Sequence, residues 1–258
     1  MGSAVRIVSF LLLHLFVPKP TVAGNVLVWP TEHSHWINMK VILEALEGRG
    51  HSVTLLHSLA SPHFNDTGRF KTEIFEVSFS FESRLKLLHD GLNIFLIESH
   101  SLSSLHFILK IRELITKTSE LDKQICDGVL RNEELLDRLR QSHFEVLLSD
   151  PIFPCGELVA DKLGIPFIYT IRGSFGNCIE RLCGQLPAPP SFVPTIPSLH
   201  TDTMDFQMRL KNFLIYLGAD MYLYERSFSS WDAYSREITG KIKCSNLCLF
   251  RSITGPIL

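Results

Sequence analysis

The chain has 258 residues, 45% of them hydrophobic, with 25 Lys and Arg against 27 Asp and Glu and a formal charge of -2. That length is ample for one α/β domain with a sizeable core and short for two. The balanced charge, without a basic stripe, leaves no electrostatic case for a nucleic-acid partner or an acidic surface.

Met1 to Ala23 carries Arg6, an apolar run from Ile7 to Val17 interrupted only by Ser9 and His14, and then Pro18, Pro20 and the small-residue stretch Thr21-Val22-Ala23. This is the pattern of a signal peptide, too short for a spanning helix, so entry to the secretory pathway is expected. Asn65-Asp66-Thr67 is a sequon in a polar loop where a glycan would fit. The leader would also place six cysteines, at 126, 155, 178, 183, 244 and 248, in an oxidising compartment. Their pairing is not readable from spacing, and the spacing is not that of a zinc site, so no metal ligands are expected. Cys155 reads as buried packing rather than a nucleophile.

Val26 to Trp29 is a short apolar run ended by Pro30, which suits a strand covered on both faces. A polar loop from Thr31 to His35 follows. From about Trp36 the pattern turns helical, with Val41, Ile42, Ala45 and Leu46 on one side, Lys40, Glu44 and Glu47 on the other, and Ser34 or His35 near the cap. Gly48 and Gly50 stop that helix, and His51 to Leu56 returns to strand character. Strand, loop, helix, strand is the parallel crossover that opens a doubly wound α/β sheet, whose ligands sit at the carboxyl ends of the strands. His35 lies on that rim.

Phe75 to Phe81 alternates like a strand, and Leu85 to Ile97 and Ser101 to Leu109 are apolar enough to be helical segments over a cavity. Phe95, Phe107 and Leu109 are candidate acceptor-pocket residues there, with plain core packing as the competing use of such side chains. Glu113 to Arg140 reads as an outer helical region with Leu114, Leu121, Ile125, Leu135, Leu136 and Leu139 as its buried stripe and a break near Gly128. Phe144 to Ser149 is the next strand, ending in Asp150 and Pro151; Cys155 to Leu163 is a short helix and Pro166 to Thr170 a further strand. If the first strand and Phe144 to Ser149 are strands one and four of a doubly wound sheet, they are neighbours, and the crevice between them is the switch point. His35 and Asp150 then meet at one mouth, a histidine base held by a carboxylate, which can activate a hydroxyl. Pro187 to Pro197 is a proline-rich loop, and Met204 to Tyr224 is a strongly apolar segment expected to pack on the domain, with a bilayer interface as the alternative.

The stretches NVLVWPTEHSHWINMKVILEALEGRGHSVTLL, QICDGVLRN, FEVLLSDPIFPCGELVADKLGIPFIYT and PAPPSFVPTIPS resemble the amino-terminal half of vertebrate UDP-glucuronosyltransferases, particularly their second family, from about Asn25 to Gly240. The resemblance implies a Rossmann-like doubly wound parallel sheet, the amino-terminal half of a GT-B glycosyltransferase. It makes His35 the general base, Asp150 its partner, and the reaction an inverting transfer of glucuronate to a small lipophilic acceptor such as a phenol or steroid. It implies no cofactor; UDP-glucuronate is a co-substrate expected only with a donor domain. Gly173, in IRGS, stands where the family usually has an aromatic residue, which puts acceptor selectivity inferred from relatives in doubt.

After YSREITGK the sequence leaves the family pattern and runs IKCSNLCLFRSITGPIL. The expected organisation is a leader over 1–23, an acceptor-binding domain over 24–240 and a divergent, disordered tail over 241–258. The donor domain and membrane anchor are expected to be absent, and the chain alone to transfer nothing. The resemblance implies the endoplasmic reticulum lumen and a possible membrane-surface contact. A second reading is a truncated regulatory subunit that binds full-length glucuronosyltransferase. A third is a lipophile carrier without chemistry, which would keep the pocket but not need His35.

Overall fold

The structure, a computed structural model, describes residues 23–29, 31–61, 70–172, 187–195, 198, 200–219 and 225–240. The leader up to residue 22, the sequon at Asn65, Gly173 and the tail from 241 onward lie outside the described residues.

Short aliphatic and β-branched runs form the strands β1 (Asn25–Val28), β2 (Ser52–Ser58), β3 (Lys71–Phe75), β4 (Val146–Ser149) and β5 (Phe167–Tyr169). All pairings are parallel and the order is β3-β2-β1-β4-β5, so the chain is α/β with β1 and β4 side by side, Val28 opposite Leu148. The helices are α1 (His33–Gly48), α2 (Phe81–Leu96), α3 (Ser104–Leu130), α4 (Glu133–Gln141), α5 (Gly156–Leu163), α6 (Phe206–Ala219) and α7 (Glu225–Thr239).

Alternation along the strands divides the core into two layers. Val26, Val28, Val53 and Leu55 meet Trp36, Met39 and Leu43 of α1 on one face. Leu27, Trp29, Leu56 and Leu147 meet α3, α4, α5 and α7 on the other. Helix α4 is held there by the fully buried Leu135, Leu136 and Leu139, each contributing roughly 2 kcal/mol of burial. Helix α7 closes over the same layer through Trp231 and Tyr234, and the Tyr234 hydroxyl donates to Asp127 Oδ1 at 2.8 Å.

Several local expectations are corrected. Helix α1 begins at His33, and the residues that pack on the sheet are Trp36, Met39 and Leu43. Val41 is 63% exposed, and Ile42 and Ala45 are exposed as well. The helix is apolar over much of its circumference, so periodicity does not single out the face that the sheet covers. Strand character stops at Phe75, and Ser80 caps α2 by accepting from the Ser83 N–H. The segments Ser101 to Leu109 and Glu113 onward are largely one 27-residue helix, α3, which runs through Gly128 without a break.

Gly128 is there for close approach: a Cβ would lie 2.6 Å from the Glu76 carbonyl oxygen. The actual break is at Arg131 and Asn132, where the Asn132 side chain accepts from the Leu135 N–H at 3.0 Å to start α4.

Helix α6 leaves Phe206 (79% exposed), Leu210, Phe213, Leu214 and Leu217 uncovered. Its buried contact is Asn212, which accepts from the Thr195 N–H and donates to the carbonyls of Pro190 and Val193, tying down the proline-rich loop. Among the described residues no helix is long and apolar enough to cross a membrane.

Candidate active site

The first turn of α1, entered from β1, delivers His35 and the end of β4 delivers Asp150, and because β1 and β4 are neighbours the two side chains converge. His35 Nδ1 lies 2.5 Å from Asp150 Oδ2, with the aspartate side chain 6% exposed and the histidine 18%. The other aspartate oxygen accepts from the Ile152 N–H at 3.0 Å, so both carboxylate oxygens have donors. A carboxylate can only accept, which places the imidazole proton on Nδ1 and leaves Nε2 as the basic nitrogen. The Phe153 ring stands edge-on to the imidazole, with ring centroids 5.8 Å apart.

The backbone around this pair is held tightly. His35 N–H donates to Glu32 O at 3.1 Å as α1 begins. Gly156 lets the start of α5 seat against the strand ends: a Cβ there would fall 2.4 Å from Ser149 Oγ and 3.1 Å from Trp29 Cβ. His33 (φ 51) and Cys155 (φ 102) adopt left-handed backbone conformations that favour glycine, and they flank the pair in sequence. Cys155 is locked by a disulfide to Cys126 on α3, with a Cα–Cα distance of 5.8 Å. Its sulfur is thus committed to a crosslink, in keeping with a buried structural role.

Beside the pair opens a cavity of about 340 Å³ between α2, α3 and the two active-site turns, its walls formed by Leu85, Leu88, Leu92, Phe95 and Leu114 with Ile152 and Phe153. At one place the lining is ionic. Arg84 on α2 donates from Nε to Glu32 Oε2 at 2.7 Å and from Nη1 to Asp122 Oδ1 of α3 at 3.3 Å; Glu32 and Asp122 are buried and Arg84 is partly so. Burial pushes Asp122 up to about 6; the Arg84 charge opposes this, and Glu32 adds to it. Burial works against the Arg84 charge, but Glu32 and Asp122 together outweigh it and raise Arg84 above its ordinary value.

The structure brings His35 and Asp150 together and puts Phe95 on the cavity wall. Phe107 packs edge-on against Phe95 with ring centroids 6.0 Å apart, and Leu109 is exposed; neither belongs to the cavity lining. Glu32, Arg84 and Asp122 escaped the sequence reading. Arg84 and Asp122 look like ordinary solvated positions of helical charge patterns, and no local signal separates them from their neighbours. Among the described residues no group of three His, Cys, Asp or Glu is placed to hold a metal ion.

The profile of the UDP-glucoronosyl and UDP-glucosyl transferase family matches residues 24–247. UDP-glucuronosyltransferase 2A1 of Homo sapiens is 40% identical over 228 residues, 87% of this chain and 43% of its own length. The Rattus norvegicus protein of the same name is 40% identical over 234 residues, covering 89% of this chain and 44% of its own. UDP-glucuronosyltransferase 2C1 of Oryctolagus cuniculus is 41% identical over 211 residues, 81% of this chain and 42% of its own. The chain therefore spans less than half the length of these curated relatives. With the neighbouring strands and their two converging turns, these matches show that the chain belongs to the UDP-glucoronosyl and UDP-glucosyl transferase family.

Proposed function

We propose that this chain is the acceptor-binding part of a UDP-glucuronosyltransferase, with His35 as general base and Asp150 as the residue that orients it. The observation that carries the reading is the 2.5 Å contact between His35 Nδ1 and Asp150 Oδ2, next in the chain to His33, Ile152 and Phe153, which line a largely apolar cavity although the pair itself does not. A phenol or steroid hydroxyl placed beside His35 gives its proton to Nε2. The oxygen attacks the anomeric carbon of UDP-glucuronate, UDP leaves, and Asp150 stabilises the imidazolium. The sugar nucleotide is a co-substrate held by a donor-binding region facing these turns; orienting two reactants is a large share of such a rate, so transfer requires both parts. The Cys126–Cys155 disulfide supports an oxidising compartment, which we take to be the endoplasmic reticulum lumen.

The test is glucuronide formation from UDP-glucuronate and a panel of phenols and steroids by microsomes expressing the chain with and without a full-length relative, beside His35→Ala. Product that depends on His35 supports the reading. Undiminished product from His35→Ala refutes the assigned base.

A second reading, a subunit that binds intact glucuronosyltransferase, is favoured by the exposed apolar side chains Ile37, Val41 and Ile42 on α1, beside the catalytic turn. Co-purification with a full-length relative that is lost on Val41→Asp supports it, and its absence at micromolar concentrations rejects it.

A further inference from the structure

The two halves of the His35–Asp150 contact are tied to one stretch of α3. Glu32 is the N-cap of α1, and its carbonyl oxygen accepts from the His35 and Trp36 N–H groups at 3.1 and 3.2 Å. Its side chain makes no cap hydrogen bond. Instead, Glu32 Oε2 accepts from Arg84 Nε at 2.7 Å, and Arg84 Nη1 donates to Asp122 Oδ1 at 3.3 Å. The turn that carries His35 is therefore held to α3 through Arg84. Cys126, one helical turn beyond Asp122 on α3, is bonded to Cys155 and so holds the turn that follows Asp150. Phe153 and Pro154 of that second turn line a small gap together with Glu32, Arg84 and Asp122, so the ionic tether borders both turns.

The tether has strain to oppose. His33, next to Glu32, has a φ of 51, a left-handed conformation that costs a non-glycine residue about 1 kcal/mol or more and persists only where the surroundings over-determine it. A side-chain cap, which contributes about 1 kcal/mol elsewhere, is missing at this end of α1. The two hydrogen bonds of Arg84 to carboxylates are of the strong, charge-assisted kind, and they take its place.

We propose that Arg84 is a positioning residue for His35: by bridging Glu32 to Asp122 it holds the first turn of α1 in the register that brings Nδ1 onto Asp150 and leaves Nε2 as the basic nitrogen. This role presupposes His35 as the base, and Arg84 acts through Glu32 and not on the imidazole. With the bridge cut, the turn is free to relax at His33. An imidazole withdrawn from the carboxylate no longer has a partner that requires its proton on Nδ1.

The test is nitrogen-15 NMR of the full chain, labelled at histidine, at pH 8.5, above the ordinary histidine range. The His35 ring signals are those missing from His35→Ala. The unaltered chain should show the Nδ1–H form. Arg84→Gln should raise the ratio of the Nε2–H to the Nδ1–H form by at least about tenfold, and Arg84→Lys, which keeps a cation beside Glu32, should recover most of the Nδ1–H form. Glu32→Ala cuts the tether at its other end and should match Arg84→Gln, and it decides the matter if that variant does not fold by circular dichroism. The ratio belongs to the folded chain, so a general loss of stability does not move it.

An Nδ1–H form that persists in Arg84→Gln and in Glu32→Ala overturns the positioning role while leaving His35 as the base. No recovery in Arg84→Lys overturns it equally, since lost packing and not the lost bridge would then explain the change. An unaltered chain without the Nδ1–H form overturns the His35 reading and the positioning role together.

Discussion

His35 and Asp150 are 115 residues apart in sequence and 2.5 Å apart in space, because each leaves the carboxyl end of one of two adjacent parallel strands. The contact orders the imidazole and leaves Nε2 free to act. In any assembly that transfers glucuronate, Asp150→Asn should lower the rate by about a hundredfold or more, because an amide neither fixes the tautomer nor stabilises the imidazolium. Acceptor binding should change by no more than about threefold, since Asp150 is not in the cavity lining. Kinetics beside acceptor dialysis check this, and a parallel loss of binding would make Asp150 a structural residue instead.

The Cys126–Cys155 bond closes a loop with a sequence separation of 29 residues and pins the start of α5, close behind Asp150, to α3. Replacing both cysteines by alanine should cost about 2–4 kcal/mol, in line with the loop entropy removed from the unfolded chain. Urea denaturation of the oxidised chain against the double variant measures this. Equal midpoints would show that the crosslink adds nothing to stability.

Two helical glycines should respond oppositely to alanine. At Gly128 a new Cβ meets the Glu76 carbonyl oxygen at 2.6 Å, a backbone atom that cannot rotate away, so Gly128→Ala should destabilise by about 1–3 kcal/mol. At Gly91 the nearest atom is Leu114 Cδ2 at 3.3 Å, on a side chain bordering the cavity. It has room to shift, and Gly91→Ala should be neutral or gain up to about 1 kcal/mol from helix propensity. Thermal melts of the two variants make the comparison, and equal losses would contradict it.

Burial raises Asp122 from 3.8 to about 6 even beside Arg84. The native state therefore holds a proton that the unfolded chain has released between about pH 4 and pH 6. This term stabilises the fold below that window and is lost as pH rises through about 6. Asp122→Asn lacks it, so the stability of the unaltered chain relative to Asp122→Asn should fall from pH 4 to pH 6.5, by at most a few kcal/mol. Denaturation midpoints across that range test the sign. A relative stability that rises with pH would mean that Arg84 prevails over burial.

Much of the architecture was legible locally. Val26 to Trp29, His51 to Leu56 and Phe144 to Ser149 lie within a residue or two of β1, β2 and β4, since short buried strands leave a clear apolar signature bounded by Gly, Pro and Asp. The placement of His35 near Asp150 followed from strand order in doubly wound sheets, a rule about connections rather than about either residue. The Phe75 to Phe81 alternation misled because Val77 and Phe79 pack against the core from the connection after β3 and not from a strand. The active face of α1 misled because Trp36, Met39 and Leu43 compete with Val41, Ile42 and Ala45 as equally apolar stripes.

By itself, then, the sequence determined the alternating strand and helix pattern, the rim positions of His35 and Asp150, and the family, because each is written in contiguous residues. Only the tertiary structure decided which stripe of α1 is buried, which cysteine Cys126 meets, why Gly128 sits inside an unbroken helix, and that Glu32, Arg84 and Asp122 share one ionic cluster. Those are relations between elements up to 90 residues apart, from Glu32 to Asp122. A buried charge or a close backbone approach exists only once packing has removed the water between them.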